Sequence, residues 1–270
     1  MSCYKKSSPT PDFFLGGDLS YVNEVEDCGG VFKEKGQKVE PYKFFADKGS
    51  NIVRIRLWHT PDFGNYSNLK DVIRSAQRAK NNNQYVLLDL HYSDSWADPQ
   101  KQLMPRAWTK IKNLEILGDS VYTYTYSVLS ALYLEHLTPE MVQVGNEINI
   151  EVMQHTDSAS EGPINWKRNA FLLNKGIAAV RDFNSKNNTK IESMLHVAQP
   201  ENAAWWFDAA HKNQIGDYQW IGLSYYPKWS KYNMDQLNAA IKDLKRKYGK
   251  REMIVETGYP YTSKNFDGAN

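Results

Sequence analysis

Cysteine is scarce in this chain, which has only Cys3 and Cys28 among its 270 residues. Two cysteines make neither a disulfide framework nor a zinc site of the common multi-cysteine kind. Long apolar runs are also missing, since no segment approaches the ~20 apolar residues that a membrane-spanning helix needs. With 41% hydrophobic residues and a mean hydropathy of −0.64, the composition is that of a globular chain.

An excess of charge of one sign is lacking too. There are 33 Lys and Arg residues against 31 Asp and Glu, which gives a net charge of +2, and no basic block is present. Strong binding to the phosphate backbone of nucleic acid is therefore not expected. The sequence has no HExxH, P-loop or GxGxxG motif, so zinc, nucleoside triphosphates and dinucleotides are unsupported. No cofactor is expected for the chemistry, and no nucleic acid partner.

Aromatic residues, by contrast, are abundant: the chain has 8 Trp, 17 Tyr and 10 Phe. Flat rings exposed in a cleft suit flat apolar ligand faces, including the C–H faces of sugars. Trp58, Trp96 and Trp229 follow predicted strands and are candidates for stacking against a polysaccharide. The alternative for each of them is packing within a loop.

Short apolar runs alternate with amphipathic stretches along the chain. The strand-like runs cover 13–19, 51–57, 84–91, 141–147, 193–198, 220–226 and 252–256, and helical periodicity covers 69–80, 114–135, 166–184 and 235–248. Apolar strands alternating with helices predict a parallel sheet covered by helices. Seven such repeats without a break in composition favour a closing (β/α)8 TIM barrel over an open sheet. We expect a flexible tail over 1–12 and one barrel domain over 13–270.

Nearly every predicted strand ends in side chains that can take part in chemistry. In chain order these are Asp18, Arg54, Arg56, His91, Asp94, Asn146, Glu147, His196, Tyr226 and Glu256. In a (β/α)8 barrel, active sites are built at the carboxyl ends of the strands. The sequence therefore predicts that these side chains meet at one mouth.

Two glutamates carry the strongest chemical signal. Glu147 and Glu256 end the fourth and seventh predicted strands, and hydrolysis of a glycosidic bond uses a carboxylic acid together with a second carboxylate. The alternative is that each is a buried acid paired with Arg54 or Arg56. His91 lacks companion ligands at sensible spacing, as does His196, so no metal site is expected.

Six segments resemble the family 53 glycoside hydrolases, the retaining arabinogalactan endo-β-1,4-galactanases of clan A. They are GGDLSYVNEVEDCGG, RIRLWHTPDFGNY, LDLHYSDSWADPQKQ, QVGNEIN, GLSYYPKW and VETGYPY, and they run from about Phe13 to Tyr261. HYSDSWADP and GNE are the most specific parts. The resemblance implies a (β/α)8 barrel that hydrolyses a polysaccharide.

The resemblance also implies roles for single residues. Glu147 would be the general acid/base and Glu256 the nucleophile, with Tyr226 orienting Glu256. Asn146 would hydrogen-bond the sugar 2-hydroxyl. Arg54 and His91 match the family's positions around the nucleophile and the −1 sugar, and Asp18 and His196 match mouth positions with lesser roles. The predicted substrate-binding set also includes Asp94, Trp58, Trp96 and Trp229.

The chain departs from the family at its carboxyl end. The family continues after the seventh strand with an eighth strand that carries a Trp, whereas only 14 residues follow Glu256 here. We therefore expect a barrel without the eighth strand and last helix, and weak activity or solubility of this chain alone. The end, 267–270, resembles the start of a calcium-binding loop, which makes a structural Ca²⁺ after strand seven a candidate.

The leading interpretation is a retaining endo-β-1,4-galactanase that acts on the galactan side chains of pectin, as a monomer. Another clan A endo-glycosidase, such as a mannanase or xylanase, is the first alternative, and a non-catalytic carbohydrate-binding barrel is the second. The sequence contains no apolar signal-peptide core, so if the protein is secreted, its signal peptide has been removed. Cys3 is either a lipid-attachment site of a bacterial cell-surface protein or an incidental cysteine in the tail.

Overall fold

The fold is described by a computed structural model for residues 11–61, 64–155 and 163–258, together with Thr262 and Lys264. One sheet holds seven parallel strands: β1 (Gly16–Asp18), β4 (Ile52–Leu57), β5 (Tyr85–Leu90), β6 (Met141–Val144), β7 (Glu192–Ala198), β8 (Trp220–Ser224) and β9 (Arg251–Glu256). A small hairpin of β2 (Lys33–Glu34) and β3 (Gln37–Lys38) lies outside that sheet. The seven strands follow one another in chain order, as in a (β/α)8 barrel, which confirms the predicted fold class.

Helices connect the strands. They are α1 (Val22–Asp27), α2 (Pro41–Asp47), α3 (Leu69–Asn81), α4 (Leu114–Leu134), α5 (Trp166–Asn187), α6 (Pro200–Lys212) and α7 (Met234–Tyr248). The side-chain oxygens of four asparagines cap the starts of α3, α4, α5 and α7, namely Asn68, Asn113, Asn165 and Asn233. No helix among the described residues is long and apolar enough to cross a membrane.

All seven predicted strands and all four predicted helices are present, with ends that differ by a few residues. The sequence interpretation missed α1, α2, α6 and the hairpin. Pro41 and Pro200 open α2 and α6 in the first turn, where the fixed φ of proline favours a helix start. Cys3 and 267–270 lie outside the described residues, and so does most of the predicted tail.

The interior of the sheet changes from apolar to polar along the strands. At the amino ends, an apolar floor is formed by Ile52, Leu87, Met141, Met194 and Trp220. The ring of Phe14 packs edge-on against Tyr85 and Trp220 at this floor. Side chains alternate along a strand, so the positions two residues further on share the same face. Four of these five positions are polar, namely Arg54, Asp89, Gln143 and His196, and the fifth is Gly222. The mouth therefore lies directly above a polar layer of the interior, and this layer lies above the apolar floor.

Strand β9 contains an irregularity at the mouth. Leu223 of β8 pairs with Ile254, but Ser224 pairs with Glu256, so Val255 is an extra residue. Bulges of this kind bend a strand and redirect the side chains that follow. Strict alternation would place Glu256 on the same face as Ile254, which packs against the helices. The bulge instead turns Glu256 towards Arg54 in the interior.

We expect Gly16→Ala to lower the melting temperature, because its Cβ would overlap the backbone carbonyl of Ile52 on the neighbouring strand. Backbone atoms cannot move aside as a flexible side chain can, so the cost should be about 1–3 kcal/mol. Gly17→Ala is the matched control, since a Cβ there meets nothing within 4 Å. Equal melting temperatures for the two variants in thermal unfolding would contradict this prediction.

Candidate active site

A single buried guanidinium, that of Arg54 on β4, joins most of the mouth. Its Nη1 lies 3.2 Å from Oδ2 of Asp18, and its Nη2 lies 2.8 Å from Oδ2 of Asp89. The same Nη2 lies 2.9 Å from Oε1 of Glu256 and donates to Oδ1 of Asn146 at 2.7 Å. Arg54 thus connects β1, β5, β9 and the turn after β6.

The charges in this cluster depend on one another. Burial alone would raise the pKa of Asp89, but the guanidinium of Arg54 and the neighbouring His91 lower it to about 2. Burial opposes the charge of Arg54, yet Asp89, Glu256 and Asp18 raise the pKa of the guanidinium above its usual value. Both groups therefore remain charged at neutral pH.

One oxygen of Glu256 forms an ion pair and the other accepts a hydrogen bond. Besides the contact of Oε1 with Arg54, the hydroxyl of Tyr226 donates to Oε2 at 3.1 Å. Burial and the adjacent carboxylate raise the pKa of Tyr226, so its hydroxyl keeps its proton. A guanidinium and a hydroxyl donor together suit an anionic carboxylate.

Glu147 lies in a different environment. It sits in a tight turn after β6, where it has a positive φ of 44°, and Gly145 has φ 87°. Non-glycine residues in this region are uncommon, and they cluster at functional sites. Burial and the negative charge of Glu256 raise the pKa of Glu147 to about 8, against the lowering effect of a hydrogen bond from Ser224. At neutral pH, therefore, Glu147 is mainly a carboxylic acid.

Surrounding groups hold the turn that carries Glu147. Gln102 donates through Nε2 to the carbonyl oxygens of Asn146 and Glu147 at 2.8 and 3.2 Å. Nδ2 of Asn146 donates to the carbonyl oxygen of Ala97 at 2.8 Å. The loop after β5 thus fixes the strained turn after β6.

Glu147, His196 and Glu256 are the one group of three potential metal ligands among the described residues, with donor atoms within 4.8 Å of one another. The environment does not suit a cation. The guanidinium of Arg54 already occupies the side of Glu256. Both ring nitrogens of His196 have partners, since Nδ1 accepts from the backbone N–H of Glu147 at 3.2 Å and Nε2 lies 2.8 Å from Oγ of Ser224.

Two other predicted residues support the mouth in different ways. Nε2 of His91 lies 2.9 Å from Oδ2 of Asp89, and Nδ1 of His91 accepts a hydrogen bond from the backbone N–H of Ala97 at 3.1 Å. Asp94 bonds to loops instead: its two oxygens accept from the backbone N–H groups of Thr60 and Arg106 at 2.9 and 2.8 Å. Asp94 therefore ties two loops together, and it is not part of the Arg54 cluster.

The predicted tryptophans lie in two groups. The guanidinium of Arg56 lies against three rings, 4.6 Å from the centroids of Tyr21 and Trp58 and 4.1 Å from that of Trp96. Trp96 is 45% exposed and Trp58 is partly buried. In the second group Trp229 is 51% exposed, and its ring lies 5.1 Å from that of Tyr226.

Sequence reasoning missed Asp89, Gln143 and Ser224. Gln143 donates to Oδ1 of Asp89 at 2.5 Å, and Ser224 donates to Glu147 at 2.6 Å. Asp89 and Ser224 each stand two positions before a predicted site residue, His91 and Tyr226, inside an apolar run, and that spacing was the available signal. Gln143 lies three positions before Asn146, so this spacing did not point to it.

Arg54→Met and Arg56→Met make the same change two positions apart on β4, and we expect them to differ. Without Arg54, Asp89 and Glu256 lose their buried counter-charge, which should cost about 3–5 kcal/mol. Arg56 bonds to Oγ of Ser67 and lies against ring faces, and it has no carboxylate partner among the residues that the structure describes. Its replacement should cost about 1 kcal/mol. Urea unfolding measures both free energies, and an equal loss would contradict the assignment of Arg54 as the electrostatic centre.

Several known proteins are similar to this chain. The chain is 51% identical over 257 residues to an arabinogalactan endo-beta-1,4-galactanase of Cellvibrio japonicus, covering 95% of this chain and 68% of the relative. A GH53 catalytic domain of Ignisphaera aggregans superposes with a TM-score of 0.84 at 30% identity, over 96% of this chain and 72% of the other. A structure from a study of two fungal beta-1,4-galactanases superposes with a TM-score of 0.83 at 29% identity, over 92% of this chain and 74% of the other. Residues 14–270 match the sequence profile of Glycosyl hydrolase family 53, and the chain belongs to that family of glycoside hydrolases.

Proposed function

We propose that this protein is a retaining endo-β-1,4-galactanase that cleaves the galactan side chains of pectin. The observation that carries the proposal is the close approach of Glu147 and Glu256, since one carboxylate oxygen of each lies within 4.8 Å of one of the other. Retaining glycosidases hold their two carboxyl groups about 5–5.5 Å apart, whereas inverting enzymes need about 6.5–9.5 Å to admit a water. The relatives described above support galactan as the substrate.

In the first step Glu256 attacks the anomeric carbon. The bond from that carbon to the glycosidic oxygen breaks as a new bond forms to a carboxylate oxygen of Glu256. Glu147, which is protonated at neutral pH, gives its proton to the departing oxygen. Tyr226 and Arg54 hold the carboxylate of Glu256 in place for the attack.

In the second step the role of Glu147 reverses. Once Glu256 is esterified to the sugar it carries no negative charge, so one of the two causes that raise the pKa of Glu147 is lost. The pKa of Glu147 then falls, and its carboxylate can take a proton from water. The oxygen of that water attacks the anomeric carbon, which releases Glu256.

The remaining predicted residues would bind the polysaccharide. Asn146, whose amide is held at both ends, is proposed to contact the sugar 2-hydroxyl, with His91 and Asp18 nearby on the Arg54 cluster. The exposed rings of Trp96 and Trp229 are proposed as stacking surfaces on either side of the scissile bond. A polysaccharide that binds to both surfaces extends past the scissile bond in both directions, as cleavage within a polysaccharide chain requires.

The proposal also covers the setting in which the protein acts. A pectic polysaccharide is too large to enter a cell, so we propose a secreted or surface-attached monomer. The candidates for lipid attachment, Cys3, and for calcium binding, 267–270, stay predictions.

The release of reducing sugar from a panel of polysaccharides tests the function. We expect activity on β-1,4-galactan and none on mannan or xylan, and Glu256→Gln should abolish it. Preference for mannan or xylan would favour another clan A endo-glycosidase. Binding of galacto-oligosaccharides without turnover would favour a non-catalytic barrel.

Glu147→Ala should separate the two catalytic steps. Loss of the acid should reduce hydrolysis of galactan by about 10²–10⁴-fold, while glycosides with activated phenolate leaving groups should still glycosylate Glu256. Azide should then restore turnover, because a small anionic nucleophile needs no general base. Glu135→Ala, at an exposed helix end, is the control. Equal loss on both substrate types without azide rescue would rule out this role.

A further inference from the structure

Ser224, at the carboxyl end of β8, forms a bridge between His196 and Glu147. Its Oγ lies 2.8 Å from Nε2 of His196 and 2.6 Å from Oε1 of Glu147. Both Ser224 and His196 are fully buried, with no exposed surface. A hydroxyl can rotate to donate to either neighbour, so its direction depends on which nitrogen of His196 carries the proton.

The backbone determines that proton position. The N–H of Glu147 points at Nδ1 of His196 at 3.2 Å, and a backbone N–H can only donate. Oδ1 of Asn146 also lies 3.0 Å from Nδ1, but it already accepts from Arg54 at 2.7 Å and from Gln143 at 3.2 Å, which uses both of its lone pairs. Nδ1 is therefore an acceptor, and Nε2 carries the hydrogen.

The hydrogen bonds then run in one direction. Burial and the nearby Arg54 hold the pKa of His196 well below its usual value, so the imidazole is neutral with one N–H. Nε2–H of His196 donates to Oγ of Ser224. The hydroxyl of Ser224 is left to donate to Oε1 of Glu147. Because Oε1 of Glu147 accepts this hydrogen bond, it is the carbonyl oxygen of the carboxylic acid. The acidic proton of Glu147 is therefore on Oε2.

We propose that Ser224, oriented by His196, is a positioning residue that binds Oε1 of Glu147 and reserves Oε2 for proton transfer in both steps. The inference rests on the proposed function and adds the atom that gives and takes the proton. Because Ser224 holds the same oxygen in the acid and base forms, Glu147 needs no rotation between the two steps.

A donated hydrogen bond is stronger to a carboxylate than to a carboxylic acid, so Ser224 favours the charged form of Glu147. The other charged or titratable groups that face Glu147 come from several elements: Glu256 on β9, Arg54 on β4, His196 on β7, Asp98 in the loop after β5 and Tyr226 after β8. Replacing Ser224 leaves these groups unchanged in charge. Its effect on the titration of Glu147 can therefore be isolated.

Ser224→Ala should raise the pKa of Glu147 by about one unit, because the carboxylate loses its donor while the acid form loses less. A ¹³C NMR titration of labelled glutamate carboxyls measures this shift without any substrate. The basic limb of kcat/KM on galactan should move up by the same amount. Ser193→Ala, a buried serine near the start of β7, is the control and should shift neither value.

A purely structural role for Ser224 would lower kcat without moving the pKa of Glu147 or the basic limb, and that result would overturn the proposal. ¹⁵N NMR of His196 in the unaltered protein gives a second readout that does not depend on the variant's folding. We expect the shifts of a neutral ring with its proton on Nε2. A proton on Nδ1 would also overturn the proposal, whereas absence of galactanase activity with the expected tautomer would count against the proposed function alone.

Discussion

The ion-pair cluster around Arg54 is the interaction on which the rest of the mouth depends. One buried guanidinium lies beside the carboxylates of Asp18, Asp89 and Glu256, which come from three different strands. Buried charges are tolerated when each is paired and hydrogen-bonded. The amino half of the interior can therefore be an apolar floor while the carboxyl half is polar. The same pairing keeps a negative charge at the carboxyl ends of the strands.

That negative charge in turn favours the protonated form of Glu147. Glu256 faces a cation and a hydroxyl donor, whereas Glu147 is buried and faces Glu256. Burial beside a second carboxylate thus keeps Glu147 mainly protonated at neutral pH. Several strands build that environment, so a peptide would not reproduce it.

Much of this arrangement could be predicted from the sequence, for specific physical reasons. Apolar runs located all seven strands, and parallel strands place their carboxyl ends together, so the meeting of Arg54, Glu147 and Glu256 followed. Asp89 and Ser224 were missed because they lie within apolar runs that read as core. The direction of the hydrogen bond at Ser224 depends on the backbone N–H of Glu147, which sits at a positive φ that no local pattern indicates. Long-range contacts set these details.

The extra residue in β9 has a consequence for how such a site could be transferred to another protein. Because Val255 has no partner of its own across from β8, the interior position of Glu256 depends on the number of backbone residues as well as on side-chain identity. Copying the mouth residues onto a regular barrel of the same type would leave this glutamate on the helix-facing side of its strand. Grafting the chemistry would therefore require the irregular backbone to be transplanted together with the side chains.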